Sequence, residues 1–319
     1  MRSDMISSSG KVVNGMSVFY LFLAVVSGLC SAFQSPTNAT LSRYAGKLQS
    51  TCVSFGGGAV LLAILCLCVG TGDLSGLADA SWWQLLGGVY GVCIVLTVTM
   101  AIPRLGAALT STILMMGQIC MGAVIDTFGL MQMAAVPLAP GRIVGCLLVL
   151  AGIILVYKGK KVHEAGKTYN RQTILVVLCT FLAGVAGAVQ SPTNTALSQH
   201  VGKLEASFMS FGTGFLFIFI ITLIVTKGHL LAGRTPGTEW WMTIGGAYGA
   251  SVVFINIIAI PHLGAAVLMI ATMLGQLGGG MLVDSFGLLR TAKTRMNLWR
   301  SAGMVFIAAG ILCVAVTKM

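Results

Sequence analysis

Long apolar runs separated by short polar links dominate this sequence. A helix that crosses a bilayer needs about 20 mostly apolar residues, and runs of that kind recur along all 319 residues. The pattern predicts an all-α integral membrane protein with ten transmembrane helices. We expect these helices at residues 16–41, 47–70, 83–103, 105–126, 142–157, 172–197, 203–226, 240–261, 263–284 and 300–317.

Polar motifs in these runs and in their links occur twice in the same order. Gln34-Ser35-Pro36-Thr37-Asn38 returns as Gln190-Ser191-Pro192-Thr193-Asn194. A fixed order of repeated motifs indicates a duplicated unit, with a first half at 1–157, a basic linker at 158–171 and a second half at 172–319. The later matches are Ser54-Phe55-Gly56 with Ser210-Phe211-Gly212, Trp82-Trp83 with Trp240-Trp241, Tyr90-Gly91 with Tyr248-Gly249, Leu105-Gly106-Ala107-Ala108 with Leu263-Gly264-Ala265-Ala266, Gln118 with Gln276, and Asp126 with Asp284.

Each half is predicted to hold five helices, and an odd number has a topological consequence. The second half must enter the membrane from the side opposite to the first. This gives two inverted five-helix repeats related by a pseudo-two-fold axis in the membrane plane, which is an architecture of secondary transporters.

The link between the third and fourth helices is very short in both halves. Its residues are Pro103-Arg104 and Pro261-His262. Because proline lacks an N–H and its ring clashes with the preceding turn, we predict that proline ends the third helix of each half.

Composition and charge agree with the membrane assignment. The chain is 56% hydrophobic and 8% charged, against about 25% charged in soluble domains. The net charge is +11, and most Lys and Arg residues lie in the links, where topology signals occur. We therefore expect contact with membrane lipid and not with nucleic acid. The positive-inside rule predicts a cytoplasmic loop at 158–171 and both termini outside the plasma membrane.

Polar side chains inside apolar helices are costly and are therefore functional candidates. Each Ser-Pro-Thr-Asn stretch puts a proline in a helix and leaves a carbonyl without its usual N–H donor, which suits a transporter binding site. The alternative is that the stretch only kinks and caps the helix. The candidates beside the two prolines are Gln34, Asn38, Gln190 and Asn194.

Three further amides complete the predicted substrate-binding set. Gln118 and Gln276 lie near the middle of the fourth and ninth helices, each after a glycine that lets a partner approach. An amide can donate and accept hydrogen bonds, which suits a polar solute; the alternative is a bond between helices worth about 1 kcal/mol or less. Asn256 has no polar match in the first half, and it either adds asymmetry to the site or bonds a neighbouring carbonyl.

Glycines spaced four residues apart form small ridges on three helices. Such ridges let helix backbones approach closely, so packing is their expected role. The pairs are Gly87 with Gly91, Gly245 with Gly249, and Gly275 with Gly279.

The sequence offers no pattern for catalysis or for a bound group. Every Asp and Glu lies at a predicted helix end or in a loop, so no carboxylate for proton coupling reaches the midplane. We expect Asp126 and Asp284 to form ion pairs with Arg142 and Arg300. The nine cysteines lack metal-site spacing, and no catalytic or phosphate-binding motif occurs. We predict no enzyme, no cofactor and no metal.

The ordered motifs resemble the drug/metabolite transporter superfamily, specifically its YdcZ-like branch, in a fused two-repeat form. The likeness covers residues 16–317, and it includes Cys52-Val53-Ser54-Phe55-Gly56 and the stretch from Asp126 to Leu130. It implies a plasma-membrane carrier, compatible with export of a metabolite or drug-like solute by alternating access, and it names no solute. The alternatives are a non-transporting assembly or sensor protein and a passive channel. One monomer is sufficient for the inverted repeat.

Overall fold

The structure is a computed structural model and describes residues 2–105, 107–136, 139–159, 171–227, 237–290 and 298–316. Its regular structure consists of ten α-helices joined by loops and short 3-10 helices. Each predicted helix has a counterpart. In chain order they are α1 (Arg2–Ala45), α2 (Lys47–Val69), α3 (Gly87–Leu105), α4 (Ala107–Phe128), α5 (Pro140–Gly159), α6 (Arg171–Val201), α7 (Lys203–Val225), α8 (Gly245–Leu263), α9 (Ala265–Phe286) and α10 (Leu298–Val316).

Glycine, not proline, separates the tightly joined helices. Gly46, Gly202 and Gly264 have positive φ angles of 91°, 99° and 76° at the breaks after α1, α6 and α8. Pro261 lies inside α8, and α3 also continues past Pro103. The prediction that proline ends these helices is therefore wrong. Proline removes one N–H donor but keeps a helical φ, whereas the positive φ that redirects the chain is readily open only to glycine.

The tryptophan pairs begin short 3-10 helices at Trp82–Leu86 and Trp240–Thr243, which lead into α3 and α8. The α-helical part of each third helix therefore starts at a glycine pair, later than predicted. Trp82 and Trp240 are 75% and 77% exposed. Exposed tryptophan at a helix entry is typical of the interface between membrane and water.

Large apolar side chains cover the outer faces of the helices. Leu67 is 88% exposed and Phe22 63%, and so much exposed apolar surface is not stable in water. Within the described residues, seven helices are long and apolar enough to cross a membrane. The chain is therefore a multi-pass membrane protein. Shorter apolar stretches lie in the other three helices, at Ile113–Phe128, Ile143–Leu155 and Ser301–Gly310.

Helices of the two halves pack directly on each other through glycine. A Cβ atom placed on Gly152 of α5 would lie 2.6 Å from the Gly303 carbonyl oxygen of α10, and one placed on Gly310 would lie 2.6 Å from that of Gly145. Residue numbers rise in opposite directions along this contact, so α5 and α10 are antiparallel. We call the surface along which α1–α5 meet α6–α10 the seam.

A second type of glycine crossing occurs twice at the seam. A Cβ on Gly28 of α1 would lie 1.9 Å from the Thr272 carbonyl oxygen of α9, and one on Gly184 of α6 would lie 2.1 Å from that of Leu114 in α4. These residues occupy equivalent positions in the repeat. Each half therefore presents the same two helices to the other half.

Buried apolar clusters fill the space on either side of these crossings. One cluster includes Met115 and Ile153 of the first half with Leu268 and Ile307 of the second. Another is built around α2 and α7. Both clusters draw on both halves, so the seam is enclosed by a shared core.

Candidate functional site

Two asparagines, one from each half, are buried at the seam. Asn38 of α1 packs against Gly245 at the start of α8, and Asn194 of α6 packs against Gly87 at the start of α3. A Cβ on Gly245 or Gly87 would lie 2.0 or 1.7 Å from the asparagine Oδ1. Neither Oδ1 has a hydrogen-bond partner among the described residues. Each glycine therefore makes room for an amide oxygen that these residues do not satisfy.

Gln34 and Gln190 lie one turn earlier on the same two helices. A Cβ on Gly249 of α8 would lie 2.4 Å from Gln34 Nε2, and one on Gly91 of α3 would lie 2.7 Å from Gln190 Nε2. The glycine ridges of α3 and α8 thus receive the predicted binding amides of the opposite half. The glycines predicted for packing and the amides predicted for binding therefore lie on the same surfaces.

Two phenylalanine rings lie beside these glutamines. The rings of Phe55 in α2 and Phe211 in α7 are 5.1 Å apart. Both rings come near the same glycines as the amides, because a Cβ on Gly91 would lie 3.1 Å from Phe55 and one on Gly249 would lie 3.1 Å from Phe211. The ring pair therefore joins the surroundings of Gln34 to those of Gln190.

Gln118 and Gln276 approach the first helix of the opposite half. Gln118 Nε2 would lie 2.8 Å from a Cβ on Gly187 of α6, one turn before Gln190. The backbone nitrogen of Gln276 would lie 2.6 Å from a Cβ on Gly28 of α1. Two equivalent helix pairs, α4 with α6 and α9 with α1, are formed in this way. Each of the four helices carries one predicted glutamine.

The four glutamine side chains share one environment. All four are half-buried, and none makes a hydrogen bond to any residue that the structure describes. A buried amide without partners costs about 1–3 kcal/mol in proteins and more in hydrocarbon, where no water can replace them. The amides of these half-buried side chains are therefore available for hydrogen bonds to water or to a bound solute.

Asn256, in contrast, is engaged by the protein. It is 8% exposed; its Oδ1 accepts a hydrogen bond from the Ser27 hydroxyl at 2.8 Å, and its Nδ2 donates to the Ser191 hydroxyl at 3.4 Å. The residue thus links α1, α8 and α6 through hydroxyl groups instead of the carbonyl considered from sequence. One donor and one acceptor position of its amide remain for a solute.

Tyr90 and Tyr248 are polar seam residues that were not among the predicted site residues. They are half-buried next to Gly91 and Gly249, and their hydroxyls make no hydrogen bond to the described residues. The sequence contained a signal for these tyrosines, because Tyr-Gly is one of the repeated pairs. Treating every repeated polar residue inside a helix as a candidate would have found both tyrosines.

Asp126, at the end of α4, caps the first turn of α9. Its Oδ1 and Oδ2 accept hydrogen bonds from the N–H groups of Ala265, at 2.8 Å, and Ala266, at 3.0 Å. The first N–H groups of a helix have no partner within the helix and favour a negative charge. Two repeated motifs, one ending α4 and one opening α9, therefore meet across the seam. The predicted ion-pair residues whose side chains lie outside the described set are Arg142, Asp284 and Arg300.

Other described carboxylates lie at the ends of helices. Glu205, in the first turn of α7, accepts a hydrogen bond from the Gly72 N–H at 2.9 Å. Glu239, before α8, lies 2.5 Å from Arg290. Within the described parts of the chain, no three His, Cys, Asp or Glu side chains come together as ligands for a metal ion.

An apolar pocket of about 520 Å³ lies between α1, α9 and α10. None of the seven predicted amides lines it. It is therefore a separate feature from the amide cluster at the seam. Its lining includes Val25, Leu29, Leu274, Met281, Ser285 and Met304.

Comparison with known proteins adds a family and a fold. The sequence profile of the DMT_YdcZ family, described as "Putative inner membrane exporter, YdcZ", matches the chain twice, at residues 19–155 and 175–313. No curated protein sequence matches the chain at a significant level. A protein of known crystal structure, described only as "protein", superposes with a TM-score of 0.71 over 95% of this chain and 98% of its own, at 14% identity. At that identity the likeness shows the fold alone.

Proposed function

This chain belongs to the DMT_YdcZ family, and we propose that it is a secondary transporter that moves a small metabolite or drug-like solute across the plasma membrane by alternating access. The family is described as an exporter, which is not an enzyme class, and this favours export as the direction. The proposal depends on one observation above all. Four half-buried glutamines lie on the helices that meet at the seam, and their side chains have no hydrogen-bond partner among the described residues.

We propose that all ten helices cross the membrane. If successive helices cross the membrane in alternating directions, any two odd-numbered helices are parallel. An odd-numbered and an even-numbered helix are antiparallel. Parallel α1 and α9, with Val25 near Gly275 and Ala32 near Gly279, and antiparallel α5 and α10 follow this rule. The directions therefore favour two inverted five-helix repeats.

The orientation is proposed from charge, with both termini outside and the loop 158–171 in the cytoplasm. Residues 160–170 of this loop lie outside the described part of the chain. A single cysteine at Gly166 in a cysteine-free background should react with a membrane-impermeant thiol reagent only from the cytoplasmic side. Labelling from outside would reverse the orientation.

Alternating access is supported by the equivalence of the contacts at the seam. Asn38 meets Gly245 as Asn194 meets Gly87, so an exchange of conformations between the halves would keep each type of contact. A site between such halves can open to one side and then to the other. The proposed solute contacts are Gln34, Asn38, Gln118, Gln190, Asn194, Gln276 and the remaining positions of Asn256.

Substitution of the mid-helix glutamines tests the site. In proteoliposomes, Gln118→Ala and Gln276→Ala should each lower the rate of solute exchange about tenfold or more, since one lost hydrogen bond to a solute is worth about 1–2 kcal/mol. Gln199→Ala, at an exposed position near the end of α6, is the matched control. Wild-type exchange by both correctly folded variants would refute the site assignment.

Counterflow distinguishes a carrier from the two alternatives. A carrier exchanges solute in a saturable manner, and solute on the far side stimulates the exchange. A passive channel shows no such stimulation, and a sensor or assembly protein moves nothing. Solutes for this assay can be found by thermal shift, because a ligand that binds only the folded form raises its stability.

A further inference from the structure

The free polar groups at the seam, among the residues that the structure describes, are electrically neutral. The four glutamine amides offer both N–H donors and carbonyl acceptors, and Asn38 and Asn194 each add an unpaired Oδ1. Tyr90 and Tyr248 add phenol hydroxyls. We infer that the solute is an uncharged molecule with several hydrogen-bond donors and acceptors, an inference that rests on the transport function proposed above.

The charged groups that could bind an ion are engaged elsewhere. Asp126 and Glu205, the two buried carboxylates among the described residues, already accept hydrogen bonds from Ala266 and Gly72 N–H groups. The described Lys and Arg residues of the second to tenth helices lie at helix ends or in loops. An ion placed among the glutamines would therefore meet no counter-charge from the described side chains, which is strongly unfavourable inside a membrane.

The arrangement of the amides also favours a solute with polar groups at more than one end. Asn256 bonds Ser191, which neighbours Gln190, and Ser27, which neighbours the glycine that meets Gln276. Gln190 and the segment of α9 that carries Gln276 therefore lie near different hydrogen-bond partners of Asn256. A compact molecule with amide, urea or hydroxyl groups at both ends can pair with both regions, because such groups donate and accept in the same way as the amides they meet.

Probes matched in shape and different in charge test this inference. We would use pyridine-3-carboxamide, pyridine-3-carboxylate and 3-(aminomethyl)pyridine, together with the amide, carboxylate and ammonium forms of one aliphatic skeleton that carries a hydroxyl group. Counterflow of each labelled probe is measured at pH 7 in proteoliposomes, and leakage in protein-free liposomes is subtracted. Potassium gradients with valinomycin set the membrane potential.

The neutral members should exchange at least about tenfold faster than their charged partners, and a change of potential should leave their rate unaltered. Gln190→Glu adds one charge to the site and should shift selectivity at least about tenfold toward the ammonium members. Gln199→Glu makes the same change at an exposed position of the same helix and should leave selectivity unaltered.

Preference for a cationic or anionic member would overturn the neutral class and leave the transport function standing. Absence of exchange by every neutral member would also overturn it, and the transport function is then judged by the broader counterflow assay above. An unchanged selectivity in folded Gln190→Glu would show that the seam does not set the charge of the solute.

Discussion

The two halves of this molecule pack alike but are linked by different polar contacts. The glycine crossing at Gly28 has its equivalent at Gly184, and the Asn38 contact has its equivalent at Asn194. The hydrogen-bonded link through Asn256 has none, because Val98 occupies the matching position of the first half. The glycine and asparagine contacts that hold helices close are therefore shared, and the hydrogen-bonded link through Asn256 is not.

Under the proposed alternating access, in which the two halves exchange conformations, this difference has a thermodynamic meaning. Contacts made equally by both halves contribute equally to an arrangement and to its exchanged counterpart. A link made by one half alone gives the two arrangements different free energies, and only such differences shift a conformational equilibrium. The shared contacts should therefore control stability, and the unshared links should control which side of the site is open.

The largest effect is expected at the shared glycine crossings. Gly28→Val and Gly184→Val would each push a side chain into a backbone carbonyl, at 1.9 or 2.1 Å from the Cβ position. Both should lower the free energy of unfolding by about 3 kcal/mol and lower the midpoint of thermal unfolding in detergent. Gly212→Val is the control, since no heavy atom lies within 4 Å of its Cβ position. Tolerance of one substitution and not the other would break the equivalence of the halves.

The helices and the pairing of the halves could be predicted from sequence. Apolar runs show which segments leave water, and α2 and α7 match their predicted bounds within one residue. The exact breaks could not be predicted in the same way. Pro261 and Gly264 are close neighbours, and only the backbone angle shows that glycine turns the chain.

The partners of the site residues were beyond sequence reasoning. The occurrence of polar residues in apolar helices made the seven amides candidates, but no pattern within one helix indicates which other helix it will face. Gln34 meets Gly249, and Asn256 finds Ser27 at a separation of 229 residues. Asp126 likewise accepts a hydrogen bond from the N–H of Ala265, 139 residues away at the start of α9. The partner predicted from the sequence was the nearby Arg142.

The next largest effect is expected at the cap between the halves. Asp126→Ala would leave two backbone N–H groups of α9 without their acceptor and should cost about 2 kcal/mol of stability. Asp126→Asn keeps one acceptor oxygen and should cost about half as much. Thermal unfolding in detergent measures both, with exposed Asp79→Ala as the control. An Asp126→Ala protein as stable as the wild type would show that this contact does not hold the halves together.

A smaller effect is expected from making the second half resemble the first. Asn256→Val removes the link to Ser27 and Ser191 and should cost about 1 kcal/mol. Ser27→Ala breaks the same link, so the double variant should lose less than the sum of the single variants. Asn256→Val should also change which end of the seam admits a membrane-impermeant thiol reagent. Full additivity in the stability measurements, together with unchanged labelling, would show that the link carries no conformational bias.

The smallest effect is expected at the exposed ion pair between Arg290 and Glu239, whose side chains are 44% and 47% exposed. Arg290 also donates a hydrogen bond to the Tyr44 hydroxyl at 2.6 Å, so the cluster joins the end of α1 to the second half. The first half has Gln132 and Ser81 at the positions equivalent to the ion pair.

A double-mutant cycle of unfolding free energies with Arg290→Gln and Glu239→Gln should give a coupling energy of about 0.5 kcal/mol, because exposed ion pairs are weak. The coupling should shrink further in 1 M salt, where screening acts within about 3 Å. A coupling above about 2 kcal/mol that resists salt would contradict this prediction. It would mean that this exposed ion pair, present in the second half only, contributes more to stability than the Asn256 link does.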